Sequence, residues 1–91
     1  MAVKVVVEFV GSVRELFGRD YIVPGLSEEG SLAEVLKVLG KLLGEERYRR
    51  FEEMLKRNEV LIIVNGLEVA DLSIRLNHMD KVYISPIAFG G

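Results

Sequence analysis

Ser31-Leu32-Ala33-Glu34-Val35-Leu36-Lys37-Val38-Leu39-Gly40-Lys41-Leu42-Leu43-Gly44 decides the fold class. Leu32, Val35, Leu36, Leu39, Leu42 and Leu43 recur at three- and four-residue intervals, which lines one side of a helix with apolar side chains. The Ser31 hydroxyl can cap the first turn, and Glu34 completes a Ser-x-x-Glu capping box. Gly40 weakens this helix without ending it, and Gly44 supplies a permissive stop. A helix with so broad an apolar stripe needs an apolar sheet face to cover it.

Strand patterns stand on both sides of it. Upstream, Val3, Val5, Val7 and Phe9 alternate with the more mixed Lys4, Val6, Glu8 and Val10, the period of a strand with one buried face. Ser12 to Gly18 fits a helical turn, and Asp20 to Val23 a short second strand ending at Pro24-Gly25, followed by a polar loop over 27–30. Downstream, Glu45 to Arg57 carries Tyr48, Phe51 and Leu55 among charges of both signs. This predicts a second, more exposed amphipathic helix ending at Asn58.

Val60-Leu61-Ile62-Ile63-Val64 is a continuous apolar run before Asn65-Gly66, expected to be an inner strand buried on both faces and closed by a turn. Leu67 to Val69 can pair beyond that turn, 70–76 is a connector of ambiguous structure, and Asn77 to Asp80 is a polar turn. Lys81 to Ile87 is the last strand, in which Pro86 should stop regular pairing or sit at an edge. The order strand, strand, helix, helix, strand, strand gives an α+β class. A mixed sheet packs one face on the main helix and leaves the other to water or a partner.

With 91 residues the chain has room for one domain, 1–91, ending in a projecting tail over 87–91. Its 49% hydrophobic and 29% charged residues are globular in proportion. A net charge of −2 gives no cationic excess for nucleic acid or anionic lipid, and no apolar run has the ~20 residues that span a bilayer. With no cysteine there is no disulfide, thiolate metal site or cysteine nucleophile, which fits a cytoplasmic protein.

Side chains for catalysis are scarce. His78 is the single histidine and falls in a turn without metal-ligand spacing around it. Glu28-Glu29, Glu45-Glu46 and Glu52-Glu53 are neighbours in sequence and do not face one another on a helix. Arg47, Arg49 and Arg50 are bracketed by glutamates, so their field largely cancels, and the glycines lack the spacing of a phosphate loop. No catalytic residue, metal site or bound cofactor is expected of the chain itself.

The terminus is the remaining chemistry. About one chain in a hundred of this glycine content would end in two glycines by chance, so the pair alone says little. Directly after a final strand, however, two residues without Cβ present a carboxylate that can enter a narrow channel. A carboxylate is a poor electrophile; ATP on another protein would have to activate it before a nucleophile could attack.

The Val-rich first strand leading into Val13-Arg14-Glu15-Leu16-Phe17-Gly18, the Leu-rich helix and Ile63-Val64-Asn65-Gly66 recur together with Asp80-Lys81-Val82-Tyr83-Ile84-Ser85-Pro86 and terminal Gly90-Gly91. In this combination the chain resembles the β-grasp, ubiquitin-like sulfur carriers, the MoaD/ThiS family that includes the molybdopterin synthase small subunit. The resemblance covers nearly the whole chain. MoaD-like members usually read Pro-Pro, two residues, Gly-Gly; here Ser85 stands for the first Pro and Ile87-Ala88-Phe89 is one residue longer.

The resemblance implies a carrier and partner of enzymes. Gly91 would be adenylated by a ubiquitin-activating-type enzyme using ATP, converted to a thiocarboxylate, and would donate sulfur beside the large subunit of molybdopterin synthase. Gly90 would give clearance, and Pro86, Ile87, Ala88 and Phe89 would meet the partner. Two alternatives share the activation step: a modifier joined to lysines through Gly91, and a thiamine-pathway carrier. The added helix over 45–57 favours the MoaD-like side over the latter.

Overall fold

The computed structural model describes residues 3–87. A five-stranded mixed sheet runs in the order β3-β2-β7-β5-β6, built from β2 (Val6–Phe9), β3 (Tyr21–Ile22), β5 (Val60–Val64), β6 (Leu67–Glu68) and β7 (Lys81–Pro86). The last strand is central, parallel to β2 and antiparallel to β5. Three helices, α1 (Ser12–Phe17), α2 (Leu32–Leu43) and α3 (Glu45–Lys56), complete the α+β architecture expected from the order of patterns.

Two more strands, β1 (Val3–Lys4) and β4 (Gly25–Leu26), correct the expected hairpin. Val3 pairs with Leu26 and Val7 with Ile22, so the same register continues through both strand pairs. The break lies where Val5 donates to the Pro24 carbonyl at 3.3 Å and Pro24, having no N–H, returns no bond. The hairpin therefore runs past Pro24-Gly25 rather than ending there.

Along α2, Leu32, Val35, Leu36, Leu39 and Leu43 are buried. Ser31 caps as expected, its Oγ accepting from Glu34 N–H at 3.3 Å, but the Glu34 carboxylate accepts from Ser27 N–H at 3.2 Å instead of closing the box on Ser31. The other free donors of the first turn, Leu32 and Ala33, bond the carbonyls of Ile74 and Leu72 at 3.0 and 2.9 Å. The connector over 70–76, ambiguous in sequence, thus caps the main helix with its backbone.

Helix α3 is polar by composition yet not peripheral, since Phe51 is 0% exposed. Its ring meets Phe17 edge-on at 5.4 Å, and Phe17 stacks on Phe9 of β2 at 4.2 Å, joining α1 and α3 to the sheet. The Tyr48 ring lies across Gly40 of α2, where an added Cβ would meet it at 3.5 Å, an ordinary contact. Burial there, with Glu52 adding to it, pushes the Tyr48 phenol above its ordinary pKa. Asn58, with φ 56°, follows the helix as expected.

Burial on β5 alternates: Val60, Ile62 and Val64 are buried, Leu61 and Ile63 half-buried. The expectation of a strand covered on both faces is corrected, because α2 and α3 lie on the same side and nothing among the described residues covers the other. Its continuous apolar sequence reflects that second face's composition, not its burial.

Candidate functional site

The C-terminal end of β7 is where the sequence placed the chemistry, and its position follows from central pairing. Asn65 donates to the Lys81 carbonyl and Ile87 to the Glu59 carbonyl, both at 2.9 Å, which fixes the alternation of the β5–β7 ladder. Pro86, opposite Val60, then falls at a position needing no bond toward β5. On its other side the β2 ladder ends with Val10 donating to the Ile84 carbonyl at 3.0 Å, and Val10's own carbonyl is taken by Val13 N–H at 3.2 Å. Proline therefore ends a central strand without leaving a partner unsatisfied: of the two outcomes expected, regular strand pairing stops at Pro86, and it does so inside the sheet rather than at an edge.

Gly11 makes this close approach possible. A Cβ at Gly11 would stand 3.1 Å from Pro86 Cγ, and its φ of +59° suits glycine independently. Ile87 continues the pairing and borders a groove of roughly 360 Å³ with Leu55, Val60, Val69 and Leu72. Of the sequence-derived site residues, Pro86 and Ile87 thus lie together at this exit. Ala88, Phe89, Gly90 and Gly91 lie outside the described residues.

Beside the exit on the α1 side, Ser12, Glu15, Leu16, Arg47, Arg50 and Met54 border a second groove. Arg49 turns away to Glu45 at 3.8 Å, an exposed pair worth little. The arginine run is thereby split between two sides of α3 rather than gathered into one patch.

The uncovered sheet face holds Val6 and Glu8 of β2, Tyr83 and Ser85 of β7, and Leu61 and Ile63 of β5, all half-buried. Tyr83 is its centre, paired with Glu8 on one side and Ile63 on the other. An apolar strip bordered by carboxylates runs up this face toward the exit.

Two residues read as simple turn formers do more. Asn65 and Gly66 take the positive φ values, 49° and 86°, of a two-residue hairpin turn. The Asn65 amide also donates to Asp80 Oδ1 at 2.9 Å and accepts from Lys81 N–H at 3.1 Å. His78 Nδ1 accepts from Lys4 N–H at 3.2 Å, and Met79 N–H donates to the Lys4 carbonyl at 2.6 Å, so the turn is fastened to β1. Asp71 accepts from both the hydroxyl and the amide of Ser73, which holds its carboxyl below the ordinary range. Sequence reasoning missed Gly11 and the Glu59 carbonyl; the contacts that matter there join positions far apart in the chain.

No metal-holding cluster of His, Asp and Glu occurs among the described residues, and no helix among them is long and apolar enough to cross a membrane. No protein-family model and no curated relative matches the chain. Among solved structures, a Pyrococcus furiosus protein described as molybdopterin converting factor subunit 1 is similar with a TM-score of 0.74 and 26% identity, over 94% of this chain and 99% of that one. Small archaeal modifier protein 1 from Methanosarcina acetivorans superposes with a TM-score of 0.72 at 18% identity, over 100% of this chain and 99% of that one. Its namesake from Haloferax volcanii does so at 0.72 and 13%, over 97% and 99%. At these last two identities the likeness is one of fold. The central last strand, the helix across the sheet and these neighbours together give the chain a β-grasp fold, consistent with the MoaD/ThiS-like proteins that it resembles.

Proposed function

We propose that this protein is a sulfur carrier of molybdopterin (molybdenum or tungsten cofactor) biosynthesis, working through its Gly91 carboxylate in the cytoplasm. The observation that carries the reading is the strand order: the central strand of the sheet brings Pro86 and Ile87 past Gly11 and Glu59, beside an apolar sheet face. Similarity to the Pyrococcus furiosus converting factor subunit supports the pathway.

The chemistry divides between two proteins. On a ubiquitin-activating-type enzyme the Gly91 carboxylate oxygen attacks the α-phosphorus of ATP, expelling pyrophosphate and leaving an acyl adenylate. A sulfide-level nucleophile adds to the carbonyl carbon, the C–S bond forms, the C–O bond to AMP breaks, and a thiocarboxylate remains. This chain contributes presentation. The strip of Val6, Leu61, Ile63 and Tyr83 docks the partner while Gly90 and Gly91 enter its channel, first on the adenylating enzyme and later on the large subunit of molybdopterin synthase.

Intact-protein mass spectrometry tests this with ATP, the adenylating enzyme encoded by the same genome, and a sulfur donor. A mass change equal to exchanging one oxygen for sulfur, lost on deleting Gly91, is the expected result. No change with an enzyme shown to be active defeats the reading. A second reading, a modifier transferred from the same adenylate to lysine amines, is favoured by the fold shared with the small archaeal modifier proteins. It requires Gly91-dependent conjugates in cells.

A further inference from the structure

We propose that Asn65 is a latent deamidation site, kept closed by the side chain of Asp80 and the backbone of Lys81, and that its conversion to a carboxylate undoes the clamp at the entry of β7. The chemistry is independent of the proposed carrier role.

Asparagine before glycine leaves the next backbone nitrogen least shielded, because no Cβ stands beside it. Of the three asparagines, Asn58 and Asn77 precede Glu59 and His78, whose side chains screen that nitrogen; Asn65 precedes Gly66. Gly66 is also open to solvent, since an added Cβ would meet nothing within 4 Å. The reaction needs only water. The Gly66 nitrogen gives its proton to hydroxide and attacks Asn65 Cγ; the N–Cγ bond forms, the Cγ–Nδ2 bond breaks, and the leaving nitrogen takes a proton from water and departs as ammonia. Water then opens the succinimide at one of its two carbonyls, giving aspartate or isoaspartate.

The fold opposes the first step. Asn65 Nδ2 donates to Asp80 Oδ1 at 2.9 Å, and its Oδ1 accepts from Lys81 N–H at 3.1 Å. The Asn65 N–H donates to the Lys81 carbonyl at 2.9 Å, so backbone and side chain are held from the same strand. Hydrogen bonds to an amide favour its plane, whereas ring closure needs its face turned to the Gly66 nitrogen. Closure therefore waits for the clamp to open. Once it occurs, a donor is exchanged for an acceptor where Asp80 needs a donor, and two carboxylates face each other. The second Asp80 oxygen accepts from Asn77 N–H at 2.7 Å, so the strain falls on the turn whose His78 and Met79 hold Lys4. Isoaspartate in addition lengthens the backbone inside a two-residue turn.

The test incubates the full chain at mildly alkaline pH and follows Asn65 by peptide mass mapping, reading the mass gain of NH2 replaced by OH. Asn65 should react at least about tenfold more slowly in the folded wild type than in a free peptide spanning 61–70, a comparison that needs no variant. Asp80→Ala should speed the reaction severalfold, and by more than Leu36→Ala, which lowers overall stability from a buried position in α2 without touching the clamp. Circular dichroism checks that each variant is folded. Asn65→Asp, which reproduces the product, should raise the unfolding constant at least about tenfold. Equal rates in chain and peptide, or Asp80→Ala no faster than Leu36→Ala, overturn the clamp as the protecting device; an unchanged unfolding constant in Asn65→Asp overturns its undoing by the reaction.

Discussion

The two ends of β7 are held by different physics. At its start, a polar clamp closes the turn over 77–80. The Asn65 side chain bridges Asp80 and Lys81, Asp80 Oδ2 accepts from Asn77 N–H at 2.7 Å, and Lys4 exchanges bonds with His78 and Met79. At its finish, there is a glycine under a proline, one backbone bond and an apolar groove. Directional bonds specify a single register, which the entry to a central strand requires because a one-residue slip would turn the core face outward. A backbone bond with non-directional packing holds the exit.

The comparison can be broken most severely between its two terms. Ile84, 0% exposed in the middle of β7, should cost about 2 to 5 kcal/mol on substitution by alanine, read as a lower urea midpoint with unchanged slope; less than either end would undo the ranking. Asn65→Ala removes two side-chain bonds and a residue suited to φ 49°, and should cost about 2 kcal/mol by the same measurement. Gly11→Ala, at the exit, meets the Pro86 ring in a strained backbone and should cost about 1 to 2 kcal/mol. If it exceeds Asn65→Ala, the exit and not the entry is the more tightly specified end.

Gly40→Ala sharpens the contrast from the side of the helices. Its Cβ would make only ordinary contact with the Tyr48 ring, so the gain in helix propensity, about 0.5 to 1 kcal/mol, should appear as a higher melting temperature. The smallest effect concerns Asp71, whose folded pKa lies below its unfolded value because Ser73 bonds the carboxylate. That contribution is present above the unfolded pKa and lost as pH falls through the folded one. Asp71→Asn should flatten the acid side of the stability profile, and an unaltered profile would refute it.

Legibility followed the range of the interactions. Helix α2 with its Ser31 cap, the Asn58 end of α3 and the Asn65-Gly66 turn are local chemistry, and all were readable. The sheet beyond Pro24, the open face of β5 and the position of Pro86 inside the sheet depend on register between distant segments. No periodicity encodes that. The candidate site divides the same way: Pro86 and Ile87 could be named from their place before the glycines, whereas Gly11 and the Glu59 carbonyl became relevant only when β2 and β5 met β7. That Pro86 would end the strand was legible from its lack of a donor; that it would do so in the middle of the sheet was not, because the ladder's alternation was not.

Because the middle strand of the sheet follows all the others in sequence, the segment over 3–80 by itself makes two unjoined halves. The first-strand hairpin and the β5–β6 hairpin each present an edge of unpaired backbone groups that β7 joins. The β2–β7 pairing joins segments more than seventy residues apart, so closing the sheet carries a large loop-closure cost.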